Sequence, residues 1–219
     1  MTGAAVPRVR MSSPQRHAQL LGVGRALFAE RGLEGTSVEE VAARAGVSKP
    51  VVYEHFGGKD GLYAEVVDGE VCSLLASFTG ALSGNSPRVL LEQATLALLT
   101  YVEQCPTGFR LLLREAAGEG GGGGASIMSD VARRVEHLLA EAFSARGLAT
   151  TLAPLYSQAL VGQVALVGQW WLDDRTHGRD EVAAHLVNLA WNGLAHLDPE
   201  PVLRTRVAAP ALPVQPRPA

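Results

Sequence analysis

Apolar residues recur along this chain at helical spacing, and nothing of comparable strength recurs at the two-residue spacing of strands. Leu20, Val23, Gly24, Leu27 and Phe28 fall on one face of a segment near 15–31, the period expected of a half-buried helix. Val38, Val41, Ala42 and Ala45 repeat the pattern over a shorter stretch, and Val52 and Phe56 stand four apart in the next. Longer helices follow near 59–79, 87–104, 106–117, 126–146, 151–174 and 179–197. The 151–174 segment is apolar nearly all round, so it should be buried on more than one side. The punctuation agrees. Ser37 and Glu40 have capping-box spacing, Gly46 allows a sharp turn, and Ser48 is placed to cap a helix with Pro50 in its first turn. The pattern predicts an all-α chain: a three-helix unit of helix-turn-helix form over 15–61, then a six-helix body over 62–197. Residues 1–14 read as a disordered basic arm, and 198–219, with six prolines, as a disordered tail. The run Gly120 to Gly124 reads as a mobile loop.

Two helices joined by a tight turn suggest DNA binding, with the second helix in the major groove. The outward positions of that helix are then the candidates. Ser48, Lys49, Val51 and His55 are placed for base edges, and Tyr53, Lys59 and Thr36 for the phosphate backbone. Charge sharpens the choice. The chain carries 17 arginines but only two lysines, Lys49 and Lys59, which open the recognition helix and the helix after it. Residues 1–60 hold eight basic against six acidic groups, whereas 61–219 hold eleven against sixteen. With a net charge of −3 the whole chain is no polybasic nucleic-acid binder, so phosphate affinity should depend on a few placed side chains and on doubling by dimerisation.

The remaining chemistry is mostly exclusion. No Ser-His-acid, Cys-His or paired-carboxylate motif has context here, so an enzyme is not expected. The glycine run lacks the Lys-Ser/Thr pair of a phosphate loop. Six histidines show no paired ligand spacing, so neither metal nor cofactor is expected, and Cys72 and Cys105 read as reduced core residues. No signal peptide or membrane span is apparent, which makes the expected location cytoplasmic, with no membrane partner.

The segments RHAQLLGVGRALFAERG, GTSVEEVA, AGVSKPVVYEHF and GGKDGLY, within residues 14–66, together resemble the DNA-binding domain of the TetR family of transcriptional regulators. Two positions depart from that pattern: Gly58 stands where a capping Ser, Asn or Asp is common, and Gly61 replaces a helix former. The resemblance implies a homodimer on a double-stranded, inverted-repeat operator, controlled by a small-molecule effector. It implies a cavity among helices 4 to 8, for which the candidates are Leu75, Phe78, Leu98, Tyr101, Val102, Phe109, Leu112, Leu113, Leu138, Phe143, Tyr156, Leu160 and Val164. It places the dimer interface on the last two helices, with Trp171, Leu186, Ala190, Trp191, Gly193 and Leu194 as candidates. Arg110 and Arg114 are positioned for an anionic headgroup or for solvent. GFRLLLRE, SDVARRVEHLLA and the run from Leu152 to Leu194 are also similar to actinobacterial regulators of fatty-acid synthesis that sense long-chain acyl-CoA. An apolar or amphipathic effector such as long-chain acyl-CoA follows from that similarity. A drug-efflux regulator sensing lipophilic compounds and a non-catalytic lipid-binding helical protein are the alternatives, and the sign of control is open.

Overall fold

Most helices begin at a capping hydroxyl or a first-turn proline, where an absent N–H costs nothing. The computed structural model describes residues 11–83, 86–117 and 125–202, with the side chains of 125–130 left aside. The basic arm, the glycine run and most of the proline-rich tail lie outside those residues, Arg8 and Arg10 with them. The helices are α1 (Ser13–Arg31), α2 (Val38–Ala45), α3 (Lys49–Phe56), α4 (Lys59–Ala81), α5 (Pro87–Gln104), α6 (Pro106–Ala116), α7 (Ala125–Ala145), α8 (Ala153–Asp173) and α9 (Arg179–Ala195), with a 3₁₀ turn at Thr150–Leu152. No strand occurs among the described residues, so the fold is all-α as expected.

The caps differ from expectation in detail. Ser12 and Gln15 make a full capping box at the start of α1. At α2 only half of one forms. The Glu40 amide donates to Ser37 Oγ at 3.2 Å, but the Glu40 carboxylate pairs with Arg31 instead of returning to Ser37. Ser48 precedes α3 without capping it through its side chain.

The α2–α3 turn is a Schellman closure: Gly46 takes a left-handed conformation at φ 66° and Val47 N–H reaches back to the Ala42 carbonyl at 2.9 Å. Gln19 of α1 donates to the Ala45 carbonyl at 3.1 Å, which fixes the turn against the first helix. Gly58 has φ 139°, a conformation closed to a capping Ser or Asn. Gly61 is equally constrained, because a Cβ there would fall on the Phe56 carbonyl oxygen. Both departures from the family pattern thus allow α3 to end tightly against the first turn of α4.

The hydrophobic pattern divides the chain into domains over 15–61 and 62–197. The structure has one continuous cluster of buried residues, from Leu20 and Phe28 through Leu62, Val66 and Leu99 to Trp171 and Leu186. The helix that closes the joint is α6, packed against both α1 and α4. A polar node lies there. The Glu70 carboxylate of α4 is buried, with Arg25 Nε of α1 at 2.6 Å and the Tyr101 hydroxyl of α5 donating to it at 2.8 Å. Gly108 of α6 packs so closely that a Cβ would collide with the carboxylate. A second pair lies nearby: Tyr63 of α4 neighbours buried Glu115 of α6, and its ring meets Phe28 edge-on at 4.9 Å.

Candidate nucleic-acid interface and effector cavity

The recognition helix is held by its inner face. Val52 is fully buried, while Phe56 stacks on His17 with ring centroids 4.6 Å apart. Ser48, Lys49, Tyr53 and Glu54 are left exposed. Lys49 is ion-paired with Glu39 of α2. Its hydrogen bond holds the Glu39 carboxyl below the usual carboxylate range. Lys49 must therefore share or leave a carboxylate to reach a base edge. Tyr53, 54% exposed, lays its ring beside Gly58. Lys59, half-buried, occupies the first position of α4, where a cation and free backbone N–H groups together favour a phosphate.

Three candidates sit differently from expectation. Val51 is half-buried and packs against the core. His55 is half-buried with its ring 5.8 Å from that of His17. Thr36 is 3% exposed and its hydroxyl donates to the Gly32 carbonyl at 2.8 Å. It braces the α1–α2 connection rather than presenting a hydroxyl to a phosphate.

A cavity of about 400 Å³ opens between the C-terminal half of α4, the N-terminal half of α5, and helices α7 to α9. Its volume falls among those of small-molecule sites, roughly 300–1,000 Å³. Leu75, Phe78, Leu138, Phe143 and Leu160 line it as expected. Leu98, Tyr101, Val102, Phe109, Leu113 and Val164 do not; they pack in or against the core. Tyr156 stands behind Phe143, edge-on at 5.5 Å. The displacement has a simple cause. The cavity uses the N-terminal half of α5, through Leu90, Leu91 and Ala94, whereas the candidates came from the half that meets the joint. One signal was available in the sequence: Val131, Val135, Leu138, Leu139, Ala142 and Phe143 form an apolar stripe along α7, and all line the cavity.

The last two helices also divide differently. Trp171 is 1% exposed, its indole N–H donating to the His177 carbonyl at 2.8 Å, and Leu186 is 7% exposed within the same chain. Trp191 and Leu194 line the cavity. Ala190 is half-buried and Gly193 exposed. The large apolar groups that α8 and α9 leave outside are Leu155, Leu166, Trp170 and Leu189. Neither headgroup candidate reaches the cavity: Arg110 pairs with Asp173 at 2.8 Å and Arg114 donates to the Glu30 carbonyl at 3.4 Å. Arg134 and Arg146 are the arginines on its wall.

The chain joins a helix-turn-helix through a shared core to a cavity-bearing helical body, and comparison with known families identifies this frame. Residues 20–66 match the model of bacterial regulatory proteins of the tetR family, and residues 79–203 match the model of the tetracyclin repressor-like C-terminal domain. The chain belongs to the TetR family. It is a DNA-binding transcriptional regulator and, as a member of that family, not an enzyme. It is 28% identical over 190 residues to the HTH-type transcriptional activator FasR of Mycolicibacterium smegmatis, covering 86% of this chain and 87% of that protein. The HTH-type transcriptional repressor KstR2 of Rhodococcus jostii is 35% identical over 78 residues, covering 35% of this chain and 38% of that one. The crystal structure of a TetR-like transcriptional regulator from Rhodococcus sp. RHA1 superposes with a TM-score of 0.72 at 29% identity, covering 85% of this chain and 99% of the other. Among the described residues of this TetR-family member, no helix is long and apolar enough to cross a membrane, and no group of three or more His, Cys, Asp or Glu could hold a metal ion.

Proposed function

We propose that this regulator binds an inverted-repeat operator as a homodimer and responds to an apolar or amphipathic effector such as a long-chain acyl-CoA. The observation that carries the DNA half is the exposed start of α3, Ser48 and Lys49, with Tyr53 and Lys59 beside it. Ser48 and Lys49 face base edges, Lys49 exchanging Glu39 for a guanine, while Tyr53 and Lys59 hold the backbone. Val51 and His55 contribute through their exposed edges. The largely apolar cavity supports the effector class, and the resemblance of GFRLLLRE, SDVARRVEHLLA and the run from Leu152 to Leu194 to regulators of fatty-acid synthesis supports acyl-CoA within it. Leu166, Trp170 and Leu189, left exposed on α8 and α9 beside Ala190 and Gly193, support a dimer built there.

Fluorescence anisotropy with DNA from the chain's own promoter region tests the reading. Operator affinity should fall with salt, and Lys59→Ala should reduce the log–log slope by about 0.9 per subunit while weakening all sequences alike. Adding long-chain acyl-CoA should shift the affinity in one direction. A shift caused only by lipophilic drugs would favour an efflux regulator, and no promoter binding at any salt would overturn the operator assignment.

A further inference from the structure

The cavity wall is apolar except for Arg134, Glu141 and Arg146, and Arg146 stands where α7 ends. Arg146 has a second engagement. It follows α7 in a turn closed by Gly147 at φ 70° and by Leu148 N–H on the Phe143 carbonyl at 2.9 Å, so its backbone is fixed. Its guanidinium donates through Nη1 to the Leu194 carbonyl at 2.8 Å and through Nη2 to the Ala195 carbonyl at 2.9 Å. These are carbonyls of the open end of α9, whose last turn has no basic residue of its own. Helix C-termini attract such cations because their last carbonyls lack partners within the helix. Leu194, whose carbonyl is held, and Trp191 one turn before it also line the cavity.

A guanidinium carries five N–H donors in a planar fork. Two serve α9, which leaves donors for a second acceptor. An apolar chain filling the cavity could bring its head to the end of the α7 wall where Arg146 stands. From this geometry we infer that the effector carries an anion, a carboxylate or the phosphates of a thioester carrier, and that Arg146 binds that anion and the end of α9 at once. Arg146 is then a specificity residue for anionic over neutral amphiphiles and a clasp that makes the last turn of α9 sense occupancy. By linkage, whatever the ligand adds to the stability of the α9 end, that end returns as ligand affinity. Glu141, which also lines the cavity and has His137 Nε2 at 3.5 Å, would repel an anion there. The inference rests on the acyl-effector reading given above.

The test is calorimetry on the full chain with dodecanoate, dodecanoyl-CoA and dodecanol, together with hydrogen exchange of the peptides covering α9. A hydrogen bond to a charged group contributes about 1.5–3 kcal/mol, so both anionic ligands should bind at least about tenfold more tightly than dodecanol. Arg146→Gln should remove most of that advantage and leave dodecanol within about threefold, and Arg146→Lys should keep part of it. Glu141→Gln should tighten the two anionic ligands and leave dodecanol unchanged. Protection of Trp191 to His196 should rise with anionic ligand in the wild type but not in Arg146→Gln. Equal affinity for dodecanol and dodecanoate would overturn the inference while leaving the acyl-effector reading intact. So would Arg146→Gln and Arg146→Lys each weakening all three ligands alike, which would make Arg146 a structural cap only. Binding of none of the three would overturn the effector reading and this inference with it.

Discussion

Replacing Tyr101 by Phe removes one oxygen from the joint between the DNA-binding helices and the body. The ring stays in the core, so no apolar surface is lost. What is lost is the hydroxyl that donates at 2.8 Å to Glu70, a carboxylate only 1% exposed. Arg25 stands 2.6 Å from the other carboxylate oxygen, but that contact is off the line of a hydrogen bond, so Tyr101 supplies the directed one. No water can easily replace it, because Gly108 already approaches the carboxylate so closely that a Cβ would not fit. A hydrogen bond to a charged group is worth about 1.5–3 kcal/mol, so Tyr101→Phe should cost about 2 kcal/mol. For a chain of this size about 1 kcal/mol moves the melting temperature by roughly 2–4 °C, which predicts a fall of roughly 4–8 °C. The assay is urea unfolding followed by circular dichroism at one fixed protomer concentration, since dimerisation would otherwise contribute. In a Glu70→Gln background the same substitution should cost only about 0.5–1.5 kcal/mol, the range for a neutral acceptor. A wild-type loss below about 0.5 kcal/mol, or an equal loss in both backgrounds, would refute the claim that this hydroxyl serves a buried charge.

Two further outcomes separate cavity from core and test the same joint by pH. Phe109→Ala, deep in the core, should cost about 3–5 kcal/mol; Phe78→Ala, on the cavity wall, should cost less and change acyl-ligand affinity with ligand-free operator binding unchanged, as denaturation and calorimetry on both variants will read. Burial first, then the neighbouring carboxylates Glu115 and Glu70, pushes the Tyr63 and Tyr101 phenols far above their usual range. In the unfolded chain they ionise near pH ~10 while the folded chain keeps them protonated, so stability present below pH ~10 should fall above it by about 1.4 kcal/mol per pH unit for each tyrosine. Urea melts across the alkaline range should show this slope, and the Tyr63→Phe/Tyr101→Phe double variant should lack it.

What the sequence determined by itself was local. The caps, prolines and glycines that start and stop helices act within a few residues. The boundaries of α5 and the run of α2, turn and α3 were therefore legible, and so was the exposed set Ser48, Lys49 and Tyr53, because helical spacing alone sends Val52 and Phe56 inward. What tertiary structure decided was which apolar face meets which. Apolar spacing sends Leu90, Leu98 and Phe109 inward, but it is silent on whether they face a cavity or one another, since the same helical period serves both. That is why Leu98, Tyr101, Val102 and Phe109 proved to be core, while Leu90, Leu91 and the α7 stripe surround the cavity. Trp171 and Trp191 carry the same chemistry and separate for the same reason. Long-range polar partners were beyond the sequence altogether. Glu70 with Tyr101 and Arg146 with the end of α9 are 31 and 48 or more residues apart, and no local propensity links groups that only the packing of helices brings together.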